Sequence, residues 1–148
     1  VCRAKTLYID SEFAHQYEKG SRHTIRIDLV RVTGNKIQFV ELKRIQDNRL
    51  LHEEGSNVTP EIITQIEEYR NFLQPNENAI LEYYKTLIAI KRSLGLPTTA
   101  ADIDTLAIDT EPYLEIYNLY THLNPQREAR IEGIKRKLDE YNVKYEIL

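Results

Sequence analysis

Two apolar runs separated by Gly34-Asn35 constrain this chain most. Thr24–Val32 and Lys36–Lys43 are rich in Ile, Val and Phe, the residue types that suit a pleated, half-buried strand. Gly-Asn between them fits a two-residue hairpin turn, whose tight geometry favours residues that tolerate positive φ. If these two are the only loop residues, Thr33 pairs with Lys36 and the register of the whole hairpin follows. Asp28 then faces Glu41, and Arg26 faces Lys43. Glu41 and Lys43, two apart on one strand, project to the same side.

That register has an electrostatic consequence. Directly opposed residues hold their Cβ atoms about 4.5–5.5 Å apart, and two carboxylates so placed repel unless a cation lies between them. A divalent ion is the simplest candidate, and Mg²⁺ fits because it is held by one or two carboxylates and retains waters, one of which can become a nucleophile. Lys43, a compact point charge beside the pair, could orient or deprotonate that water or stabilise charge developing on phosphoryl oxygens. The alternative is that Asp28 simply pairs with Arg26, Arg31 or Lys43 on an exposed sheet face. Zinc does not compete: one cysteine, Cys2, and four scattered histidines offer no ligand spacing.

Asp28 followed by Glu41-Leu42-Lys43 resembles the signature of the PD-(D/E)xK nuclease superfamily. Gln65-Ile-Glu-Glu-Tyr69 is similar to the Gln-x-x-x-Tyr motif of its RecB-like and lambda-exonuclease-like branch, and residues four apart share a helical face. The resemblance implies a restriction-endonuclease-like core and DNA as substrate. It implies Mg²⁺ as cofactor, with Mn²⁺ able to substitute, held by Asp28, Glu41 and the Leu42 carbonyl. Lys43 would be the catalytic cation, supported by Gln65 and Tyr69, although Tyr69 also falls in an apolar stripe that ordinary core packing explains. Arg26, Arg44 and Arg49 are the candidates for contacts with the nucleic acid, phosphates above all. Two departures stand out. Ile27 replaces the proline that often precedes the aspartate, and the family's initial helix, often carrying a further acidic residue, has no clear counterpart before Lys5; it could lie upstream in the longer protein, or Glu12 or Glu18 could take that residue's place.

The remaining chain supports a mixed sheet with helical crossovers. Lys5–Tyr17 reads as a strand, Gly20-Ser21 as a turn, and residues 44–58, with Gly55-Ser56, as a loop. Thr59-Pro60-Glu61 opens a helix with Thr59 as N-cap, carrying Ile62, Ile66, Tyr69 and Leu73 until Pro75 ends it. A second helix spans about Glu77–Leu94, closed by Gly95. Residues 98–110 read as loop with one turn, Pro112–Leu119 as a strand, Asn124-Pro125 as the start of a last helix, and Val143–Leu148 as a closing strand. The expected fold is α/β (α+β mixed), in the order β-β-β-α-α-β-α-β.

At 148 residues the chain is expected to be one domain, 1–148. Lacking any methionine, it is expected to belong to a longer protein with further domains. No apolar run reaches membrane-spanning length, one cysteine suits a reducing compartment, and a cytoplasmic location without membrane contact is expected. Residues 1–50 hold ten Lys/Arg against six Asp/Glu, and the remainder ten against seventeen. A basic half around the hairpin suits a polyanion. Three functions follow: a DNA-cleaving enzyme, endo- or exonucleolytic; a module on the same fold that binds nucleic acid or a partner without turnover; and a structural domain. A homo-oligomer is compatible with each.

Overall fold

The structure, a computed structural model, describes residues 7–16, 24–53 and 57–148. Lys5, Tyr17, Glu18, Cys2 and the turns at Gly20-Ser21 and Gly55-Ser56 lie outside these residues. The chain forms a mixed α/β fold around a five-stranded sheet whose neighbours follow chain order. Strands β1 (Leu7–Gln16), β2 (Thr24–Thr33) and β3 (Lys36–Arg44) run antiparallel in succession, and β4 (Ala107–Tyr117) and β5 (Lys144–Ile147) continue the sheet in parallel. Parallel neighbours require crossovers, supplied by helices α1 (Glu61–Ser93) and α2 (Pro125–Glu140). Both crossovers step the same way across the sheet, so right-handed connection places both helices on one face. Hydroxyls of Thr59, just ahead of α1, and Tyr141, just after α2, meet at 3.1 Å. No helix among the described residues is long and apolar enough to cross a membrane.

Gly34 adopts φ +62° and closes the hairpin as its residue type demands. Pairing runs from Thr33↔Lys36 to Leu29↔Val40 in the expected register and then stops. Asp28 is therefore not laddered opposite Glu41, nor Arg26 opposite Lys43. The cause lies on the neighbouring strand. Glu12 has φ +59°, a left-handed backbone, and the β1–β2 pairs on either side of it, Ser11↔Leu29 and Phe13↔Ile27, set it level with Asp28. Asp10 and Phe13 are three apart, yet both point at α1: Asp10 accepts from the Tyr84 hydroxyl at 3.0 Å and Phe13 packs on the Phe72 and Tyr84 rings. On β2, Ile27 and Val30 are likewise three apart and both fully buried. Both strands turn over at this level, and Asp28 is left exposed beside the ladder.

Helix α1 is one element of 33 residues, not two, with Pro75 inside it. A proline in a helix interior removes a hydrogen bond and costs about 3 kcal/mol. Here the buried stripe Ile62, Ile66, Tyr69, Leu73, Ile80, Tyr84 and Ile88 continues straight across it, and each such side chain gains roughly 1.5–3 kcal/mol on burial. Asn76 donates its side-chain amide to the Phe72 carbonyl at 2.8 Å within the disturbed turn. Thr59 does not cap the helix. Pro60 occupies the N-cap position, and the Ile62 N–H finds the Arg49 carbonyl instead. At the other end Gly95, φ +67°, and Leu96 bond back to Arg92 and Lys91, a Schellman closure.

Strand β4 begins at Ala107, five residues before Pro112, preceded by a 3₁₀ turn at Ile103–Thr105. Pro112 sits in a register irregularity, between Gln38↔Asp109 and Val40↔Tyr113, where a missing N–H disturbs no ladder bond. Helix α2 opens at Pro125 with the Asn124 side chain accepting from the Arg127 N–H at 2.9 Å. Away from the helices, a polar chain links all five strands. Arg31 pairs with Glu115, both buried, and its Nε donates to Gln38 at 3.0 Å. Tyr8 donates to Glu115 at 3.1 Å, Gln38 to Asp109 at 3.2 Å, and Lys144 lies 3.6 Å from Asp109. Burial, then the Glu115 carboxylate, raises the Tyr8 pKa.

Candidate active site

Alternation along β3 turns Glu41 and Lys43 toward α1, on the side of Ile37 and Phe39. Glu41 is 3 % exposed and Lys43 5 %, and the two form an ion pair. The first three turns of α1 add Gln65 and Tyr69. Gln65 Nε2 donates to Glu41 Oε1 at 2.9 Å and to the Tyr69 hydroxyl at 2.6 Å. That hydroxyl lies 2.9 Å from Glu41 Oε2 and also within reach of the Arg26 carbonyl, so its single proton serves one of two acceptors. Burial, then the Glu41 carboxylate, pushes the Tyr69 pKa far up, which keeps the phenol protonated and a donor. Glu41 is thus held by Lys43 and Gln65 and lies beside the Tyr69 hydroxyl, whose proton it shares as an acceptor with the Arg26 carbonyl.

Asp28 reaches the same cluster by another route. Its Oδ2 accepts the Leu42 N–H at 2.8 Å, taking the place of a ladder bond. The structure therefore gathers Asp28, Glu41, Leu42, Lys43, Gln65 and Tyr69 in one place, with Asp28 at the exposed side and Glu41 at the buried side. The three arginines are not gathered equally. Arg26 serves the cluster through its carbonyl, while its side chain points to solvent 3.9 Å from Glu12. Arg49 is bound to Asp47 at 3.0 and 2.7 Å, and it holds the Asp47 carboxyl below the usual range. Arg44 is exposed, its carbonyl accepts from the Asp47 N–H at 2.9 Å, and its guanidinium has no polar partner among the described residues.

Oxygen donors suited to a hard cation come together here: Asp28 Oδ1, with no protein partner among the described residues, the Leu42 carbonyl, and Glu41. Two carboxylates and a carbonyl match the chemistry of Mg²⁺, which takes the rest of its shell from water. Among the described residues no group of three or more His, Cys, Asp or Glu side chains is placed to hold a metal, so a protein-only cage is not what this cluster offers.

Arg130 of α2 was not singled out from the sequence. It donates to the carbonyls of Ile45, Asp47 and Leu51 at 2.8, 2.9 and 3.1 Å, and so fixes the loop that follows β3. Its spacing of four from Ile134 and eight from Leu138, both fully buried, put it on the core-facing row of α2. An arginine on that row was the available signal. A separate groove of about 470 Å³, between β1 and α1, is lined by Phe13, Phe72, Ile80 and Tyr83 and shares none of the cluster's residues. Comparisons with protein-family models, with curated proteins and with solved structures found no match.

Proposed function

We propose that this domain is a Mg²⁺-dependent nuclease with a restriction-endonuclease-like core, hydrolysing phosphodiester bonds in DNA. The observation that carries the reading is the convergence on Glu41. A buried carboxylate receives Lys43, Gln65 and Tyr69, while a second carboxylate, Asp28, is anchored one residue away on the Leu42 N–H. Bound Mg²⁺, or Mn²⁺ in its place, would supply an acidified water and neutralise phosphoryl charge. Asp28, Glu41 and the Leu42 carbonyl are the groups that would hold it.

Within the protein, Gln65 and Tyr69 fix the Glu41 carboxylate, since a ligand already oriented loses little freedom when it binds. Lys43 carries a positive charge beside both Glu41 and the Leu42 carbonyl, where it stabilises negative charge on a substrate phosphoryl group and orients the attacking water. Arg26, Arg44 and Arg49 contact backbone phosphates, Arg44 with the least competition from the protein itself. Among the described residues, the polar partners of Glu41, Asp28 and Tyr69 come from β2, β3 and α1.

A metal titration tests this. Mg²⁺ or Mn²⁺ should raise the melting temperature of the wild type but not of Asp28→Ala or Glu41→Ala, and wild type alone should cleave DNA. An equal thermal response in all three proteins would refute it. A second reading, a module that binds nucleic acid or a partner without turnover, draws on the same convergence, because both Glu41 oxygens already have protein partners. DNA affinity with no cleavage under any divalent ion would select it.

A further inference from the structure

Beside the cluster, at the ends of β3 and β4, lies a groove of about 390 Å³ lined by Leu42, Lys43, Arg44, Tyr117 and Leu119. Arg44 and Tyr117 are register partners on adjacent parallel strands, one step beyond Lys43↔Ile116. Tyr117 is 38 % exposed and Leu119 55 %. The Tyr117 backbone is fixed, its carbonyl accepting from Ile45 at 2.9 Å, yet its phenol has no polar partner among the described residues. Other tyrosines at the sheet margins are engaged: Tyr8 with Glu115, Tyr145 with Asp139, and Tyr120 beneath the Arg127 guanidinium. Among the described residues, Tyr117 and Arg44 together present an aromatic ring next to a guanidinium with no side-chain partner, and no acidic residue lines the groove.

We infer that this groove is a stacking subsite for one unpaired base of a DNA strand, with Tyr117 against the base and Arg44 on an adjoining phosphate. The inference rests on the nuclease reading for the identity of the strand, and names the form in which DNA reaches Lys43: locally single-stranded. An aromatic ligand with an anionic linkage suits these two side chains, because every base offers a π-face and an arginine pairs with phosphate. Continuity with Leu42 and Lys43 favours a polynucleotide over a free nucleotide. Leu42 and Lys43 are the residues that the groove shares with the cluster. Leu119 closes the apolar side of the groove.

The test measures binding without turnover, in a metal-free buffer with a chelator, using dye-labelled oligodeoxythymidylate and an abasic oligomer of equal length. Wild type should favour the thymidylate oligomer. Tyr117→Ala should weaken that binding by roughly tenfold, the effect of losing one stacked base, while leaving the abasic oligomer unaffected. Tyr117→Phe should behave as wild type, and Arg44→Ala should weaken both oligomers alike. Equal wild-type affinity for the two oligomers, or a Tyr117→Ala effect that is absent or equal on both, overturns the subsite. A base-selective Tyr117 effect in a protein that cleaves nothing with Mg²⁺ or Mn²⁺ would sustain the subsite and refute the nuclease reading. Cleavage without that effect would do the reverse.

Discussion

Lys43 and Glu41, two residues apart on β3, form an ion pair in which both side chains are almost closed to solvent. Burying two charges is favourable only if their remaining hydrogen-bonding capacity is met. Gln65, Tyr69 and the Leu42 carbonyl meet it. The first turns of α1 and the end of β3 are therefore joined by polar contacts inside an otherwise apolar layer.

Removing one charge leaves the other stranded. Lys43→Ala should lose about 3–5 kcal/mol of unfolding free energy, and adding Glu41→Gln should recover most of the loss because the lone carboxylate is then gone. Urea denaturation of wild type, single and double variants measures this. A double variant as unstable as the single one would mean the loss came from packing rather than charge.

Asp28 is exposed, and its structural duty is to accept one N–H, which an asparagine oxygen also does. Asp28→Asn should stay within about 0.5 kcal/mol of wild-type stability while losing any thermal response to Mg²⁺. Differential scanning calorimetry with and without the ion reports both quantities, and an unaltered Mg²⁺ response would remove Asp28 from the site.

Tyr69 and Tyr84 carry pKa values raised above 10.0, chiefly by burial and next by Glu41 and Asp10 respectively. A raised folded-state value means the unfolded chain releases its phenolic protons first. The stabilisation is complete below pH 10 and declines as pH climbs beyond it, by about 1.4 kcal/mol per pH unit for each tyrosine. Urea midpoints between pH 9 and pH 12, a window set by that value, should fall steeply. Tyr69→Phe should flatten the slope by the share of one group.

Pro75 is exposed and lies inside the continuous helix α1. Pro75→Ala should raise stability by about 1–3 kcal/mol, since proline is that much the poorer residue inside a helix. A higher melting temperature is the expected result; no change would mean that the helix is bent to suit the proline.

These elements differ in how far residue type alone determined them. Gly34-Asn35 announced its turn, and the pairs from Thr33↔Lys36 to Leu29↔Val40 followed from it. The end of that ladder did not follow, because a left-handed backbone at Glu12 has no glycine or asparagine to signal it. Pro75 was misleading for the opposite reason: the local rule is strong, but a stripe that buries Leu73, Ile80 and Tyr84 outweighs it. Asp109 fell in the stretch 98–110 that read as loop, yet it pairs with Gln38 in β4, where the side chains of Gln38 and Lys144 give it partners. Gln65 and Tyr69 came from the resemblance to a Gln-x-x-x-Tyr motif, spacing adding only that they share a helical face, and alternation put Glu41 and Lys43 on one side of β3. Arg130 acts through backbone carbonyls, whose positions no pattern of side chains reveals. The nuclease assignment stands apart from all of these as a proposal awaiting the metal titration.

The contacts of Glu41 and of Glu115 close loops of very different length. Glu41 meets Gln65 across 24 residues and Tyr69 across 28, whereas Tyr8 meets Glu115 across 107. Closing a short loop sacrifices less chain entropy and happens sooner. On a ribosome, a chain released just past the first turns of α1 already contains Asp28, Glu41, Lys43, Gln65 and Tyr69. Arg31 must wait until β4 emerges to supply its counter-charge.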